Sequence, residues 1–466
     1  MRVLIKNGTV VTESGEFSAD ILIEDEKIAG LGKCFDEIRV DKVISADGMY
    51  VLPGGVDQHT HYAGINSDGV TECSGYDTTY AALIGGTTTT VDFCPNEKDM
   101  GMLDSIRHRI EVRAKGKVCT DFGIHAQCTQ ARENMFDEIR RLPELGVSTM
   151  KLFMAFKPTS QYMDDGIIFQ SMRACRDAGV TMYLHCENAD LLNVLRDEAA
   201  KAGHLSPHYH YLTRPPYVEA EATARAIALA DAAGCPLCVV HVSCREAGEH
   251  VAAARARGQR VIGETCNHYL SLDQSLMDDP AFERACRWVC SPPIRDQAQR
   301  EYLWEGVRND VFSLVSSDHV GIPLSQKLWG INDFREIPNG CPGAPNRLSN
   351  LWTDGVAKGR ITRQRLAEVF AANPAKLCGI YPQKGTIAVG SDADLVLWDP
   401  AYRGVVDNES CPSGVDYNIC EGMERIGRAE KVLLRGQVVV EDGRFVGELG
   451  CGRFIPGKAY GLAYTL

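Results

Sequence analysis

The sequence predicts an α/β protein in which a closed parallel (β/α)8 barrel of the TIM type carries a small β-rich domain formed by the N- and C-terminal segments. Short apolar runs alternate with amphipathic segments through the middle of the chain, which predicts repeated βα units. Short alternating strands broken by Gly, Asp and Asn occupy both ends. Histidine or aspartate stands at the end of several middle runs, where a parallel barrel carries its functional groups.

The β-rich domain is predicted over residues 1–50 and 385–445. Its first half contains VLIKNGTVV, ADILIEDEKIAGLG and KVISADGMYV, and its second half contains GTIAVGSDADLVLWDP and KVLLRGQVVVEDGRFVG. Because both halves have one pattern and flank a different middle, we expect them to build one domain. Residues 446–466 form a C-terminal tail, whose apolar and aromatic content fits either packing on its own subunit or contact with a neighbour.

The barrel is predicted over residues 51–384. Eight runs are its candidate strands: VLPGGVDQHTH, TTTTVDF, FGIHAQ, TMKLFMA, TMYLHCE, LCVVHVS, VIGETC and FSLVSSDH. Stretches such as VEAEATARAIALADAAG between them have the pattern of helices. Eight units fit a closed barrel better than an open sheet, although a doubly wound open sheet is the alternative.

Composition and charge limit the class of function. The 466 residues are 44% hydrophobic and 24% charged, which is ordinary for a globular protein. A formal net charge of -13 argues against nucleic acid or an anionic membrane surface as a partner, because either would repel an acidic protein. A small molecule is the expected partner.

The first residues and the cysteines predict a cytoplasmic location. MRVLIKNGTVV lacks the regions of a signal peptide, and no apolar run reaches the roughly twenty residues that a membrane-spanning helix needs. The 18 cysteines are scattered, so reduced thiols are expected instead of a disulfide scaffold. Cys235 and Cys238 form a CxxC, which two buried thiols beside a strand explain better than a redox or metal pair.

Candidate metal ligands stand at the ends of four predicted strands. His59 and His61 are two residues apart, a spacing that puts both imidazoles on one side of a strand. His185, His241 and Asp318 follow other strands at the same topological position. A second HxH, His208 and His210, lies away from any predicted strand end, so we expect a solvated or packing role for it.

Lys151 lies inside the apolar run TMKLFMA, where a buried ammonium costs several kcal/mol unless it is neutralised or paired. One explanation is an ion pair with a neighbouring strand. The other is a lysine of lowered pKa that reacts with carbon dioxide to give a carbamate, whose two oxygens bridge cations. The second explanation is favoured, because four histidines and an aspartate need a bridge to hold two metals.

This ligand set predicts two divalent metal ions per chain. Imidazole and carboxylate ligands suit zinc, with manganese, iron and cobalt as alternatives. A hydroxide that bridges the two ions is the expected nucleophile for a carbonyl carbon. Asp318 is expected to act as the general base and then as the acid that protonates the leaving nitrogen.

The motifs QHTH, KLFMAFK, LHCEN, VVHVS, ETCNHYL, SPPIRD, SSDHV and PNGCPG together closely resemble the dihydropyrimidinase and D-hydantoinase branch of the cyclic amidohydrolases, including its phenylhydantoinase-like members. The resemblance implies that His59, His61 and Asp318 bind the more buried metal, that His185 and His241 bind the other, and that N6-carboxylated Lys151 bridges them. It also implies a homotetramer, and it assigns the substrate's ring edge to Ser291 and Asn339. Without the resemblance, these two residues would be typical turn-formers.

Phe156 departs from the pattern of the family it resembles, which usually has a tyrosine five residues after the bridging lysine. That hydroxyl stabilises the oxyanion of the tetrahedral intermediate, and losing such a donor costs roughly 2.7–4 kcal/mol unless something replaces it. Tyr162 or the second metal is a candidate replacement. CNHY and CSPPIRD are similar to the related allantoinases, whereas PNGCPG and the tail are similar to the hydantoinases.

The sequence therefore predicts a binuclear metal hydrolase that opens the ring amide of a cyclic ureide, either a dihydropyrimidine or a 5-substituted hydantoin. The alternatives are an allantoinase and a non-catalytic scaffold related to dihydropyrimidinase. The complete ligand set argues against the scaffold, and only Phe156 argues for it.

Overall fold

The computed structural model of the protein describes residues 1–33, 35, 38–63 and 74–459. In this part of the chain the strands form two sheets. The strands are β1 Arg2–Thr12, β2 Gly15–Glu24, β3 Lys27–Gly32, β4 Lys42–Ser45, β5 Tyr50–Pro53, β6 Gly55–Thr60, β7 Thr87–Pro95, β8 Asp121–Gln127, β9 Thr149–Phe153, β10 Thr181–His185, β11 Leu237–Val239, β12 Val261–Cys266, β13 Phe312–Ser316, β14 Leu395–Val405, β15 Glu424–Leu434, β16 Gln437–Glu441 and β17 Arg444–Phe445.

The helices follow the barrel strands. The α-helices are α1 Tyr80–Ile84, α2 Met102–His108, α3 Met135–Arg141, α4 Asp165–Ala178, α5 Ala189–Lys201, α6 His208–Leu212, α7 Pro216–Ala233, α8 Arg245–Ala256, α9 Asn267–Ser271, α10 Phe282–Ala285, α11 Gln297–Arg308, α12 Leu324–Lys327, α13 Arg347–Asn350, α14 Arg363–Ala367 and α15 Asn373–Leu377. Short 3-10 helices cover Tyr76–Thr79, Leu142–Leu145, Gln274–Asp278, Cys286–Trp288, Leu328–Gly330, Phe334–Glu336 and Ala344–Asn346, and π-helical turns cover Arg109–Ala114, Leu351–Val356 and Glu368–Ala372. In the described ranges, the helices are all too short or too polar to cross a membrane.

Strands β6 to β13 form a parallel barrel in which each strand pairs with its predecessor in the chain. A doubly wound open sheet would instead reverse its strand order at a switch point. The first and last strands meet, because the His61 amide donates to the His319 carbonyl at 2.8 Å and the His319 amide donates to the His59 carbonyl at 3.2 Å. The predicted (β/α)8 class is therefore confirmed.

The second sheet is mostly antiparallel and joins both ends of the chain. Its order is β17-β16-β15-β14-β5-β1-β2-β3, with β4 beside β1. The two ends meet where β5 pairs antiparallel with β14, and their apolar side chains share one buried cluster that includes Val3, Ile21 and Leu395. This confirms the predicted β-rich unit, while the boundaries at 50 and 385 stay predictions.

The first predicted barrel strand is divided between the two sheets at Gly54. Residues before it belong to β5 in the terminal sheet, and residues after it belong to β6 in the barrel. A Cβ atom on Gly54 would lie 2.2 Å from Oγ1 of Thr88 and 2.9 Å from Cβ of Asp394, so only glycine fits between the sheets.

A buried ion cluster joins the sheets at the amino-terminal end of β8. Lys384 Nζ lies 2.8 Å from Asp394 and 2.9 Å from Asp392, and it also contacts Asp121 on β8. The described part of the tail runs beside the same strand, since the Phe122 amide donates to the carbonyl of residue 453 at 2.9 Å. Residues 460–466 of the predicted tail lie outside the described residues.

Candidate metal centre and active site

A cavity of about 460 Å³ opens at the carboxyl ends of the barrel strands. Eight of the nine predicted site residues line it, namely His61, Lys151, Phe156, His185, His241, Ser291, Asp318 and Asn339. The ninth, His59, is fully buried and in contact with Asp318 and Lys151. The fold thus brings together residues that are spread over about 280 positions of the chain (339 − 59 = 280).

His59, His61 and Asp318 converge on one point. Oδ1 of Asp318 lies 3.0 Å from Nε2 of His59 and 3.4 Å from Nε2 of His61. Two atoms that each lie about 2.0–2.1 Å from a zinc ion are about 3.4 Å apart in tetrahedral geometry. The three side chains therefore have the spacing of ligands around one cation, and all their ligand atoms lie within 4.8 Å of one another.

Lys151 lies in the middle of β9 with 1% of its surface exposed. Its Nζ atom is 3.2 Å from Nε2 of His59 and 4.7 Å from the ring centre of Phe93. In the described ranges no carboxylate lies within ion-pairing distance of this amine, so the alternative explanation, an ion pair with a neighbouring strand, does not apply. Burial lowers the pKa of the Lys151 amine, although Asp318 and Glu264 raise it.

His185 and His241 form the other half of the cluster, with ring centroids 4.5 Å apart. Nε2 of His185 is 2.8 Å from the Glu187 carboxylate, which also accepts two hydrogen bonds from Arg214 at 2.8 and 2.9 Å. This contact leaves Nδ1 of His185 for the cavity. Nδ1 of His241 is buried and has no hydrogen-bond partner among the described residues, a cost of about 1–3 kcal/mol that a ligand would remove.

Glu264 on β12 lies behind the ligand cluster and orients two of its histidines, and it is not among the nine predicted site residues. Its carboxylate accepts a hydrogen bond from Nε2 of Gln58 at 2.5 Å, one from Nδ1 of His59 at 2.9 Å and one from the His241 amide at 3.2 Å. A carboxylate behind a histidine fixes the tautomer and aims the other ring nitrogen at the metal site. The signal was present, because VIGETC places an acid inside an apolar strand.

The protonation states follow from burial and neighbouring charges. Burial would raise the pKa of the Asp318 carboxyl, but His59, His61 and His241 hold it well below its usual range. Burial lowers the pKa of His61 to about 4. Burial would also lower the pKa of His59, but Glu264 and Asp318 raise it above its usual value. Without a cation, His59 thus stays protonated to a higher pH than an ordinary histidine, and metal binding would compete with that proton.

Three site residues have a left-handed backbone. The φ angle is 40° at His241, 45° at Asp318 and 69° at Phe156. Such a conformation costs a non-glycine residue on the order of 1–3 kcal/mol and is typical of functional sites. At His241 and Asp318 it occurs directly beyond the strand ends, where it turns both side chains toward the cavity.

Ser291 and Asn339 come from separate loops and meet at the cavity wall. Oγ of Ser291 donates a hydrogen bond to Oδ1 of Asn339 at 2.7 Å. Nδ2 of Asn339 donates to the Ile337 carbonyl at 3.1 Å, so each of the two side chains already has a partner in the protein.

Comparison with known proteins shows which family the chain belongs to. The amidohydrolase family matches residues 50–439. The D-hydantoinase of Geobacillus stearothermophilus is 42% identical over 466 residues, which cover 99% of this chain and 98% of that protein. The chain belongs to the amidohydrolase family. A D-phenylhydantoinase of Escherichia coli is 37% identical to this amidohydrolase over 470 residues, covering 99% of each chain. The crystal structure of dihydropyrimidinase from Brevibacillus agri NCHU1002 superposes on it with a TM-score of 0.95 at 39% identity, covering 99% of each chain.

The residues of this amidohydrolase fit the metals that its family implies. The ligand atoms of His59, His61 and Asp318 converge, Nδ1 of His241 is orphaned, and Lys151 is a buried amine with no carboxylate partner in the described ranges. The unpartnered nitrogen and the unpaired buried amine are each unfavourable alone. A cation could be bound by the nitrogen, and cations would stabilise the negative charge that Lys151 would carry as a carbamate.

The second HxH pair does not form a site. His208 and His210 lie on helix α6, where residues two apart point about 200° from each other. Nδ1 of His208 is 2.7 Å from Asp278, and His210, contrary to a solvated role, is buried with Nε2 2.8 Å from the Cys290 carbonyl.

Phe156 forms part of an apolar cavity wall. Its ring centre is 5.2 Å from that of His185 and 5.7 Å from that of Phe153. The side chain offers no hydrogen bond at this position. Tyr162, one candidate replacement, is not among the residues that line the cavity, and Nζ of Lys157 lies 5.4 Å from its ring centre.

Proposed function

We propose that this metal-dependent amidohydrolase opens the ring amide of a 5-substituted hydantoin or a dihydropyrimidine in the cavity at the strand ends. The observation that carries the proposal is the convergence of His59, His61 and Asp318 beside the buried amine of Lys151. Relatives named D-hydantoinase and dihydropyrimidinase, at 42% and 39% identity, support this substrate class.

His59, His61 and Asp318 would hold one ion, His185 and His241 would hold the other, and Lys151 would bridge them as its N6-carboxylated form. The imidazole-rich donor set favours zinc. When bound, two such ions supply Lewis acidity that lowers the pKa of water and polarises a carbonyl oxygen. The lowered pKa of Lys151 supports the carbamate, because only the neutral amine reacts with carbon dioxide.

Asp318 is the proposed general base. Its carboxylate stays ionised at neutral pH, since three histidines hold its pKa low. It accepts the proton of the attacking water and then passes it to the ring nitrogen that leaves. Main-chain groups of Ser291 and Asn339 hold the amide or ureide edge of the ring, which keeps the carbonyl carbon in position for attack by water.

Allantoinase is the second candidate, because CNHY and CSPPIRD are similar to the allantoinases and Phe156 lacks the hydroxyl of the hydantoinase pattern. The scaffold hypothesis is weaker, since no ligand position of the resemblance is substituted. A cytoplasmic location is also proposed, supported by 16 described cysteines that are free thiols, 15 of them buried. The homotetramer stays a proposal from the resemblance.

The test is ring opening by the zinc-loaded protein on dihydrouracil, hydantoin, phenylhydantoin and allantoin, with Asp318→Asn as the blank. We expect turnover of at least one hydantoin or dihydropyrimidine and a loss of about 100-fold or more in the variant. Turnover of allantoin alone would replace the substrate class. Silence on all four rings with two bound metals would refute the proposed function.

A further inference from the structure

The cavity wall away from the metal-ligand cluster is basic. Four of its side chains are cations and one is an acid: Lys157, Arg196, Arg214, Arg335 and Glu336. The whole protein has a formal net charge of -13, so this local excess of positive charge runs against the average surface. A wall of this sign attracts anions.

Three of the four cations are already neutralised by the protein. Lys157 lies 2.8 Å from Asp190, Arg214 lies 2.8 Å from Glu187, and Arg335 lies 2.7 Å from Asp333. Each therefore offers little net charge to a ligand.

Arg196 is the exception. In the described ranges no carboxylate lies within 4.0 Å of it, and Nη2 donates only to the Arg335 carbonyl at 3.3 Å. A guanidinium has five N–H donors, so most of its bonding capacity is unused by the protein. Burial, together with the positive charges of Arg214 and Arg335, lowers the pKa of Arg196 to about 10, which still leaves it a cation at neutral pH.

The position of Arg196 relates it to the reaction site. Helix α5 begins at Ala189, four residues after His185, and Arg196 lies seven residues further along the helix (196 − 189 = 7). Arg196 lines the same cavity as His185 and Asp318, so a ligand held at the metal-ligand cluster can extend along this wall to the guanidinium. Apolar Phe153, Phe156 and Trp329 line the same cavity and suit the carbon part of such a substituent.

We propose that Arg196 selects cyclic ureides whose ring substituent ends in a carboxylate. This inference rests on the proposed function and narrows its substrate class. The planar fork of a guanidinium matches the two oxygens of a carboxylate, and a charged acceptor would satisfy donors that the protein leaves open. The ring would lie at the metal centre while the acidic end pairs with Arg196.

The competing explanation is that Arg196 only supports the segment before Asn339 through its bond to the Arg335 carbonyl. In that case its loss would weaken catalysis on every substrate equally. A charge-selective role instead changes the ratio between two substrates that differ only in charge.

The experiment compares hydantoin carrying a carboxyethyl substituent with the same hydantoin carrying a carbamoylethyl substituent, which has nearly the same shape and no charge. The wild-type zinc-loaded protein should prefer the acid in kcat/KM by about tenfold or more, and Arg196→Gln should lower this ratio by about tenfold. Lys201→Gln, which removes one positive charge from the exposed end of the same helix, should leave the ratio at the wild-type value.

Absence of the wild-type preference, or equal losses on both compounds in Arg196→Gln, would overturn the inference. Arg196→Lys, which keeps the charge and loses the fork, should retain part of the preference and guards against a folding defect in the first variant. If the inference fails, turnover of any hydantoin or dihydropyrimidine in the panel above still supports the proposed function, whereas silence on all four rings with two bound metals refutes that function.

Discussion

Replacing Glu264 by Gln should weaken metal binding without changing any residue proposed to touch a metal. The wild-type carboxylate accepts from three donors, Gln58, His59 and the His241 amide. Nδ1 of His59 lies 3.1 Å from one carboxylate oxygen and 2.9 Å from the other, while Gln58 and His241 each use one oxygen. Whichever carboxylate oxygen the NH2 group replaces, it faces at least one of these donors and cannot accept its hydrogen bond.

The magnitude follows from this geometry. A lost partner behind a metal-binding histidine typically costs 10- to 100-fold in metal affinity, which corresponds to about 1.4–2.7 kcal/mol. Glu264 contacts one histidine of each half of the cluster, so we expect the upper part of this range, about 100-fold. Turnover should fall with metal occupancy and recover in part at high zinc concentration.

The assay is competition between the apoprotein and a zinc chelator of known affinity, with metal content measured after dialysis. Glu249→Gln is the matched control, because Glu249 is 60% exposed on α8 and lies 3.9 Å from its nearest basic partner. Far-ultraviolet circular dichroism confirms that both variants fold. Wild-type zinc affinity in Glu264→Gln would refute the organising role of this carboxylate.

Three further predictions concern the cavity, the protons and the fold. Phe156→Tyr should raise kcat on unsubstituted hydantoin by about 10- to 100-fold with little change in KM, because it restores a donor for the oxyanion. The control Phe153→Tyr should give no gain. No gain in Phe156→Tyr would mean that another group stabilises the oxyanion. The raised pKa of His59 means that zinc binding competes with a proton, so apparent zinc affinity should rise with pH until the pH passes that raised pKa. Calorimetry in two buffers should detect proton release, and a pH-independent affinity would contradict this. In the apoprotein the stability that protonated His59 contributes is present below about pH 6.5 and is lost as the pH rises through its raised folded pKa. Lys384→Met should lower the free energy of unfolding in urea by about 3–5 kcal/mol, because buried Asp394 loses its cation and Asp121 keeps only Arg435 among the described cations. An unchanged urea midpoint would exclude that role.

Periodicity predicted the fold because each barrel strand is apolar enough to be recognised alone. Runs such as VIGETC and TMYLHCE became β12 and the β10 end that carries His185. The sequence pattern predicts one strand over VLPGGVDQHTH, but the structure divides this run at Gly54. Its first half pairs with β14, which lies more than 300 residues later in the chain (395 − 53 = 342). Single-sequence patterns carry no information about such distant pairing.

The candidate site could be predicted where a side chain able to bind a metal stands at the end of a strand, as at His59 and His61. The helical pair His208 and His210 has the same spacing in sequence, and only the different periods of strand and helix separate the two cases. The acid inside VIGETC marks Glu264 as unusual, but neither its role nor that of Arg196 could be predicted. Both roles depend on which groups from other strands and loops lie beside them. The left-handed backbone conformation at His241 could not be predicted from the sequence either.

The most direct test of the account is metal content and turnover in Lys151→Ala, measured beside the wild-type protein. We expect about two zinc ions per wild-type chain and fewer in the variant. Ring opening should be abolished in the variant, and short carboxylates such as acetate or propionate should partly restore it. Such rescue would arise because a free carboxylate replaces the two oxygens of the carbamate. Full metal content in Lys151→Ala, with no response to added carboxylate, would contradict the bridging role of Lys151 and with it the binuclear centre.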